Sequence, residues 1–141
     1  MKVRITRIDK ELPLPEYHTE GAVAFDLYSR MDVDIAPKER AVLPSNFIIE
    51  VPKGYFLMIA ARSSTAKRGL MLANGVGTID QDYHGPKDEV GISVYNFTDE
   101  PVMVKRGDRI AQGLLIPIIH AEWQEVEKIK DESRGGFGST G

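Results

Sequence analysis

The sequence predicts a single all-β domain, a jelly-roll-like sandwich or barrel with one short helix. Short runs rich in β-branched and aromatic residues alternate with turns that contain proline, glycine or serine, and this spacing is typical of such folds. Apolar residues alternate with polar ones from Val3 through Ile5 to Ile8, which predicts the first strand. Further strands are predicted at residues 33–35, 47–51, 55–60, 91–95 and 114–119. The length of 141 residues is common for one domain, so we expect residues 1–141 to share one core.

Two segments depart from the strand pattern. Residues 63–69 begin with Ser63, Ser64 and Thr65, continue with helix formers and end at Gly69, which predicts the one short helix. From about residue 131 to 141 the chain contains little that could be buried. We therefore expect this stretch to form a flexible C-terminal tail outside the core.

Composition narrows the classes of function. Hydrophobic residues make up 42% and charged residues 28%, which is ordinary for a globular domain. No apolar run approaches the ~20 residues of a membrane helix, and the N-terminus lacks a signal-peptide core, so we expect a cytoplasmic protein without a membrane partner. The absence of cysteine excludes disulfides and thiolate zinc sites. A net charge of −3 gives no general basic surface, so no nucleic-acid partner is expected.

The glycine-rich tail is the first of four segments suited to chemistry. Its glycines expose backbone N–H groups that can form an anion-binding nest, and Ser139 and Thr140 add hydroxyl donors. Arg134 adds positive charge, and Phe137 has no core to join but could stack on a base. An unstructured C-terminus is the structural alternative.

Two further segments contain residues that could bind phosphate or serve a purely structural role. Arg62, Ser63 and Ser64 stand at the start of the predicted helix, where N–H groups, hydroxyls and a guanidinium suit a polyphosphate. An ordinary helix cap with a surface arginine is the alternative. Residues 107–112 predict a Gly-Asp turn in which Arg109 pairs with a neighbouring acid.

The fourth segment, residues 74–85, is expected to be a glycine-containing hairpin formed from two strand edges. Glycines let a ligand approach the backbone closely. An aspartate is ordinarily a carboxylate at neutral pH, so Asp80 could act as a general base without special tuning. Acids that merely cap a turn are the alternative. His18, His84 and His120 lack a metal-ligand spacing and are expected to be structural or solvated. Trp123 is expected to serve packing.

Taken in order, these segments and residues 21–29 (Gly-Ala-Val-Ala-Phe-Asp-Leu-Tyr-Ser) resemble the five motifs of the trimeric dUTPase family. The resemblance covers nearly the whole chain. It implies a distorted jelly-roll or β-clip barrel and hydrolysis of dUTP to dUMP and pyrophosphate, which lowers dUTP and supplies dUMP for dTMP synthesis. It also implies Mg²⁺ as cofactor and a homotrimer with shared sites, in which the glycine-rich tail is swapped onto a neighbouring subunit.

The resemblance also implies residue roles. Asp80 matches the general base that activates the water attacking the α-phosphorus, and Tyr83 matches the ring that packs on deoxyribose and excludes a ribose 2′-hydroxyl. Asp26 matches an acid that supports the site through magnesium-bound water or Arg62. The ion itself is implied to sit on the triphosphate and water, without a direct protein ligand. The other implied contacts are to uracil by Asn74, Gly77, Thr78, Ile79 and the lid residue Phe137, and to phosphates by Arg62, Ser63, Ser64, Gln112, Arg134, Gly138, Ser139 and Thr140.

The chain departs from the family pattern in three places. The tail has two residues fewer between Arg134 and its Gly-Phe-Gly core, which leaves the reach of Arg134 to the γ-phosphate open. Residues 86–89 resemble an insertion of about three residues that lengthens a hairpin, and Ala61 stands where proline is common.

Two alternatives stay open from the sequence. The first is dCTP deaminase, or a bifunctional deaminase and dUTPase of the same fold, because residues 62–69 also resemble its serine-rich segment. That enzyme needs a glutamate where alignment at Asn96 places Ser93, and the insertion leaves the register of Glu89, the nearest glutamate, undetermined. The second is a non-catalytic nucleotide-sensing module, for which loss of the base or tail would be typical.

Overall fold

Eleven strands and one 3-10 helix form the regular structure of residues 1–138, the part of the chain that this computed structural model describes. The 3-10 helix spans Ala66–Arg68. The strands are β1 (Ile5–Arg7), β2 (Phe25–Tyr28), β3 (Val33–Ile35), β4 (Arg40–Pro44), β5 (Phe47–Ile49), β6 (Tyr55–Ala61), β7 (Leu70–Leu72), β8 (Gly77–Ile79), β9 (Gly91–Asn96), β10 (Val102–Val104) and β11 (Arg109–Pro117).

The strands pair antiparallel in four small sheets, which confirms the all-β prediction. The largest sheet has the order β2-β11-β6-β8, and a three-stranded sheet has the order β4-β9-β7. Two further sheets consist of the pairs β1-β5 and β10-β3. The longest ladder joins β11 to β6, from Ala111 opposite Ala61 to Pro117 opposite Tyr55. Within residues 1–138 the sheets do not close into a continuous barrel.

The core lies between the sheets. Along a strand such as β9, every second residue is buried in it. In β9, Ile92, Val94 and Asn96 are buried while the residues between them are half-buried. β2 is buried at all four positions, so its sequence shows no alternation. The largest fully buried apolar side chain is that of Phe47. Full burial of one such side chain contributes about 1.5–3 kcal/mol, so these positions supply most of the driving force for the fold.

A glycine in β11 allows the central strand to pack closely. A Cβ at Gly113 would lie 2.6 Å from the Cε2 atom of Phe25 and 3.1 Å from the Cδ1 atom of Leu57. Real Cβ atoms do not approach a buried ring this closely, so the space above Gly113 belongs to Phe25. This contact holds β2 and β11 in register at the strand that carries Asp26.

Several predicted strands are confirmed, while others begin elsewhere or were not predicted. Residues 33–35 form β3 as predicted, and β6 and β9 match within one residue. β11 begins at Arg109, before the predicted strand at 114–119. Strands β2, β4, β7 and β10 were not predicted, because three to five residues are too few to show a period.

The prediction of a hairpin at residues 74–85 is wrong in its second half. β8 forms the first half and pairs with β6, but residues 80–85 contain no second strand that could pair with it. After Asp80 the chain turns, with the N–H of Tyr83 donating to the carbonyl of Asp80 and that of His84 to Asp82. A second turn follows between Gly85 and Asp88. These local hydrogen bonds pair backbone N–H and C=O groups within the turns, so no second strand of a hairpin is needed.

The predicted short helix is present as a single 3-10 turn. It ends at Gly69, whose φ of 80° is the left-handed conformation that favours glycine at a helix end. Thr65, which precedes the helix, is buried. In the described part of the chain, no helix has the length and apolar character needed to cross a membrane.

Residues 118–138, called the C-terminal arm below, contain neither helix nor strand. Ile119, Trp123 and Ile129 on this arm are 95%, 91% and 96% exposed. The expectation that Trp123 packs is therefore wrong within this chain. Phe137 near the arm's end is fully exposed, in keeping with the prediction that the tail is no core element.

Candidate active site

Asp26 on β2 is the centre of a cluster of charged side chains. Its Oδ1 forms an ion pair with Nε of Arg62 at 2.7 Å. Its Oδ2 lies 3.2 Å from Nη1 of Arg109 and 3.0 Å from Nε2 of His18. We call these four residues the Asp26 cluster. It joins the loop before β2, the end of β6 and the start of β11.

The order of the strands explains why these residues meet. β11 lies between β2 and β6, and Gln112 on β11 is opposite both Asp26 and Ala60. Arg62 follows the last residue of β6 and so reaches the same end of the sheet. Gln112 donates from Nε2 to the carbonyl of Ala61 at 2.9 Å, which places its amide beside the arginine.

Thr65 ties the segment after β6 to the start of β11. Its Oγ1 accepts the N–H of Arg62 at 3.0 Å and donates to the carbonyl of Ile110 at 2.9 Å. Ser64 Oγ accepts from Nη1 of Arg62 at 3.2 Å. A buried hydroxyl that both accepts and donates fixes its neighbours in place, so two of the predicted phosphate-binding segments form one rigid unit.

The charge of the Asp26 cluster favours an anionic ligand. One buried carboxylate faces two guanidinium groups, and arginines present several donors in a geometry that matches phosphate oxygens. Burial raises the pKa of the nearby Tyr28 phenol, and the charge of Asp26 raises it further, so Tyr28 stays neutral beside the cluster. The arrangement can bind a polyphosphate through donors left on the guanidiniums.

A second group of predicted residues lies on β8 and its flanks. Asn74 is exposed in the turn before β8, and Asp80 is exposed directly after it. Because β8 is an edge strand, its outer side presents backbone N–H and C=O groups that no neighbouring strand uses. The outer edge at Thr78 and Ile79 can therefore pair with a planar base. Gly77 packs tightly against β6, since a Cβ there would lie 3.0 Å from Cβ of Ile59.

Within one chain the two groups are far apart. Ile79 is opposite Leu57, near the start of β6, whereas Arg62 follows its end. The stretch from Leu57 to Arg62 corresponds to roughly 17 Å at about 3.3 Å per residue. The chain therefore brings Asp26, Arg62, Ser64 and Gln112 together, with Ser63 exposed beside them, but does not bring Asp80 to them.

The tail residues lie apart from both groups. Arg134, Phe137 and Gly138 are exposed at the end of the C-terminal arm. Gly135 and Gly138 have φ of 83° and 88°, the positive values that the glycine-rich sequence predicts. Ser139 and Thr140, predicted to bind terminal phosphates, lie outside the described residues.

Two residues of the Asp26 cluster were missed by sequence reasoning. Arg109 was expected to pair with a neighbouring acid, but it pairs with Asp26 on another strand, and the nearby Asp108 pairs instead with Arg68. A carboxylate on a fully buried strand needs a charged partner, which could have directed attention to Arg109. His18 offered no comparable indication, because only the folded loop brings it to Asp26.

Comparison with known proteins supports the family predicted from the sequence. The family model described as dUTPase matches residues 10–141. The deoxyuridine 5′-triphosphate nucleotidohydrolase of Dictyoglomus turgidum is 42% identical over 148 aligned residues, covering 100% of this chain and 99% of the relative.

Solved dUTPase structures share the fold. The dUTPase of Staphylococcus bacteriophage 80alpha with dUPNHPP has a TM-score of 0.86 and 24% identity, covering 99% of this chain and 98% of that one. A mutant dUTPase from phage phi11 of S. aureus, described with a structural Mg(II) ion, has a TM-score of 0.81 and 22% identity, covering 92% of this chain and 99% of that one. These likenesses confirm the jelly-roll-like fold class. Because the family model matches nearly the whole sequence and a relative aligns over all of it, this chain belongs to the dUTPase family.

Proposed function

We propose that this chain hydrolyses dUTP to dUMP and pyrophosphate, with the carboxylate of Asp80 activating the attacking water. The observation that carries the proposal is the Asp26 cluster, a rigid cationic site in a member of the dUTPase family. Its two guanidiniums suit the charge of a triphosphate and of a departing pyrophosphate. The cytoplasm, where deoxynucleotides are made and used, is the compartment we propose.

The base and sugar are assigned to β8 and the loop after it. The free edge at Thr78 and Ile79 supplies hydrogen bonds to uracil, with Asn74 and Gly77 shaping the turn, and a tight fit excludes a 5-methyl group. Tyr83, which is 40% exposed, packs on deoxyribose. Phe137 from the tail covers the base by stacking.

In the proposed reaction Asp80 takes a proton from water, and the water oxygen attacks the α-phosphorus while pyrophosphate leaves. Arg62, Ser63, Ser64 and Gln112 orient the phosphates and receive the charge that moves onto the leaving group. Arg134, Gly138, Ser139 and Thr140 would close over the terminal phosphates and exclude bulk water. Magnesium, when bound, neutralises phosphate charge.

The donor set fits a magnesium ion carried by the substrate. Among residues 1–138, no group of three or more His, Asp or Glu side chains could hold a metal. Both oxygens of Asp26 already face arginine or histidine. Magnesium retains water and binds substrate phosphates readily, so we propose Mg²⁺ as a cofactor held by the triphosphate and water, with Asp26 positioning Arg62.

We further propose a homotrimer with shared active sites. The separation of Asp80 from the Asp26 cluster along β6 supports sites to which two subunits contribute. The exposed apolar residues of the C-terminal arm need a partner surface, since large exposed apolar patches mark interaction sites. An apolar depression lined by Val3, Leu14, Tyr17, Phe25 and Leu115 offers one on each subunit.

The reaction is tested by incubating the protein with magnesium and, separately, dUTP, dCTP, dTTP and UTP, and resolving the products by ion-exchange chromatography. Pyrophosphate and dUMP are expected from dUTP alone. Formation of deoxyuridine nucleotides from dCTP would establish the deaminase instead, and binding of dUTP without any product would establish a non-catalytic module.

The structure bears on the deaminase alternative through Glu89. Its carboxylate is occupied by Arg30 and by the N–H of Asn46, so it is not free to shuttle protons at a base. Ser93 lies on β9 and offers no carboxylate. These contacts favour the dUTPase over the deaminase.

Shared sites are tested by mixing two inactive proteins. Asp80→Asn retains the tail, and a chain ending at Lys130 retains Asp80. If each site combines Asp80 and the tail from different subunits, refolding an equal mixture should restore about one quarter of the activity, because each contribution is intact in half of the chains. No recovery in a mixture that forms mixed oligomers would overturn shared sites.

A further inference from the structure

The loop that carries the insertion is a closed turn. The N–H of Gly85 donates to Oδ2 of Asp88 at 2.7 Å, and the N–H of Asp88 donates to the carbonyl of Gly85 at 3.1 Å. A loop closed in this way has a fixed end, which here is Glu89, immediately before the buried Val90.

Three donors hold the carboxylate of Glu89. Arg30 donates from Nε and Nη2 to its two oxygens, each at 2.9 Å, and the N–H of Asn46 donates to Oε1 at 2.8 Å. The side chains of Arg30 and Glu89 are only 25% and 17% exposed. Arg30 is itself anchored, because its N–H donates to the carbonyl of Pro44 at 2.7 Å. A bidentate pair of this kind is directional and resists rotation.

The backbone of Glu89 contacts Tyr83. The Tyr83 hydroxyl donates to the carbonyl of Glu89 at 3.3 Å, a long hydrogen bond across the base of the loop. The direction of this carbonyl is set on both sides, since the Glu89 side chain is clamped and the N–H of Val90 donates to Phe47 at 2.8 Å. The aromatic ring is thus held at its Cβ and at its hydroxyl.

We propose that the Arg30–Glu89 ion pair positions the ring of Tyr83 and thereby raises the preference of the site for deoxyribose over ribose. This inference rests on the proposed function, in which Tyr83 packs on the sugar. Steric exclusion of a 2′-hydroxyl requires a ring that does not move aside. Glu89 and Arg30 are positioning residues, because they act through Tyr83 and not by touching the nucleotide.

The size of the effect follows from the hydrogen bond that a displaced ring must break. The net contribution of one such bond corresponds to about a 3-fold to 10-fold change in an equilibrium constant. The ratio of the inhibition constant of UTP to the KM of dUTP measures the preference directly. UTP serves as a competitive inhibitor of dUTP hydrolysis, so no turnover of UTP is needed.

The test compares Glu89→Gln, Tyr83→Phe and the double variant with the unmodified chain. Each single variant should lower the ratio about 3-fold to 10-fold, and the double variant should lower it no further, because both remove the same tether. Arg4→Met is the matched control, since it breaks another bidentate arginine-glutamate pair, with Glu50, and should leave the ratio unchanged.

Tyr83→Phe keeps the test decisive if Glu89→Gln fails to fold, because the tyrosine is partly exposed and the variant leaves the ion pair intact. In Tyr83→Phe, hydrogen exchange of residues 81–90 without nucleotide should also be faster than in the unmodified chain. Normal dUTP hydrolysis with an unchanged ratio in the variants would overturn this inference alone. Absence of dUTP hydrolysis by the unmodified chain would overturn the proposed function and, with it, this inference.

Discussion

Nε2 of His18 lies 3.0 Å from Oδ2 of Asp26, the oxygen that also faces Arg109. On its other side, Nδ1 of His18 lies 3.6 Å from Oε1 of Glu16. The imidazole lies between two carboxylates and orients the buried one, since the side chain of His18 is 46% exposed and that of Asp26 only 9%. This contact makes a histidine part of the phosphate-binding end of the proposed site.

Replacement of His18 by alanine should raise the KM for dUTP about 3-fold to 10-fold, because Asp26 loses a donor and holds the two arginines less firmly. Affinity for dUMP, which lacks the outer phosphates, should change less. Steady-state kinetics and product inhibition measure both quantities. His18→Gln should recover part of the loss through its amide donor, and His120→Ala on the exposed arm is the matched control. An equal loss of affinity for dUTP and dUMP would contradict a role at the phosphates.

Asp80→Asn should bind dUTP normally and lower kcat by at least about 100-fold, since an amide cannot accept the proton from water. Isothermal titration with a non-hydrolysable dUTP analogue and single-turnover kinetics separate the two effects. Asp82→Asn removes an exposed carboxylate two residues away and should retain turnover. Near-normal kcat in Asp80→Asn would remove Asp80 as the base.

Gly113→Ala should lower the free energy of unfolding by about 1–3 kcal/mol, because the new methyl group meets the buried ring of Phe25 and the side chain of Leu57. Urea denaturation followed by circular dichroism measures the change. Gly21→Ala provides the control, as a Cβ there has no atom within 4 Å. Equal stability of the two variants would show that Phe25 on β2 can move away from Gly113 on β11 with little loss of folding free energy.

The pH dependence of stability should include Asp108. Burial alone would raise the pKa of Asp108, but hydrogen bonds from the N–H of Lys105 and the guanidinium of Arg68 lower it below its usual value. A lowered pKa stabilises the folded state above the unfolded value of about 3.9, and the stabilisation is lost as the pH falls through the folded value.

Asp108→Asn should therefore cost about 2 kcal/mol at pH 7 and clearly less at pH 3. Urea midpoints at the two pH values measure this difference. Asp99→Asn is the control and should change stability little at either pH, because the Asp99 side chain is 91% exposed in its ion pair with Lys38. A loss for Asp108→Asn that is independent of pH would point to packing and not to charge.

The sequence supported much of the strand pattern and, through ordered motifs, the family. Local patterns cannot show which distant strands pair, so they missed that β11 lies between β2 and β6 and brings Arg109 to Asp26. They also favoured a hairpin after Gly77, because turn residues and short strands look alike over so few positions. The roles of Asp80 and Tyr83 came from resemblance, whereas the contact of Glu89 with Arg30 required the folded chain.

The exposed C-terminal arm has an experimental consequence, because it carries Trp123, the only tryptophan in the sequence. The chain's own fold leaves the indole in water, so its fluorescence does not depend on the core. A blue shift of emission with rising protein concentration would report a neighbouring molecule covering the arm. Unfolding of the isolated chain would leave the same emission nearly unchanged. Trp123 is therefore an optical probe that is nearly insensitive to folding and would report any molecule that covers the arm.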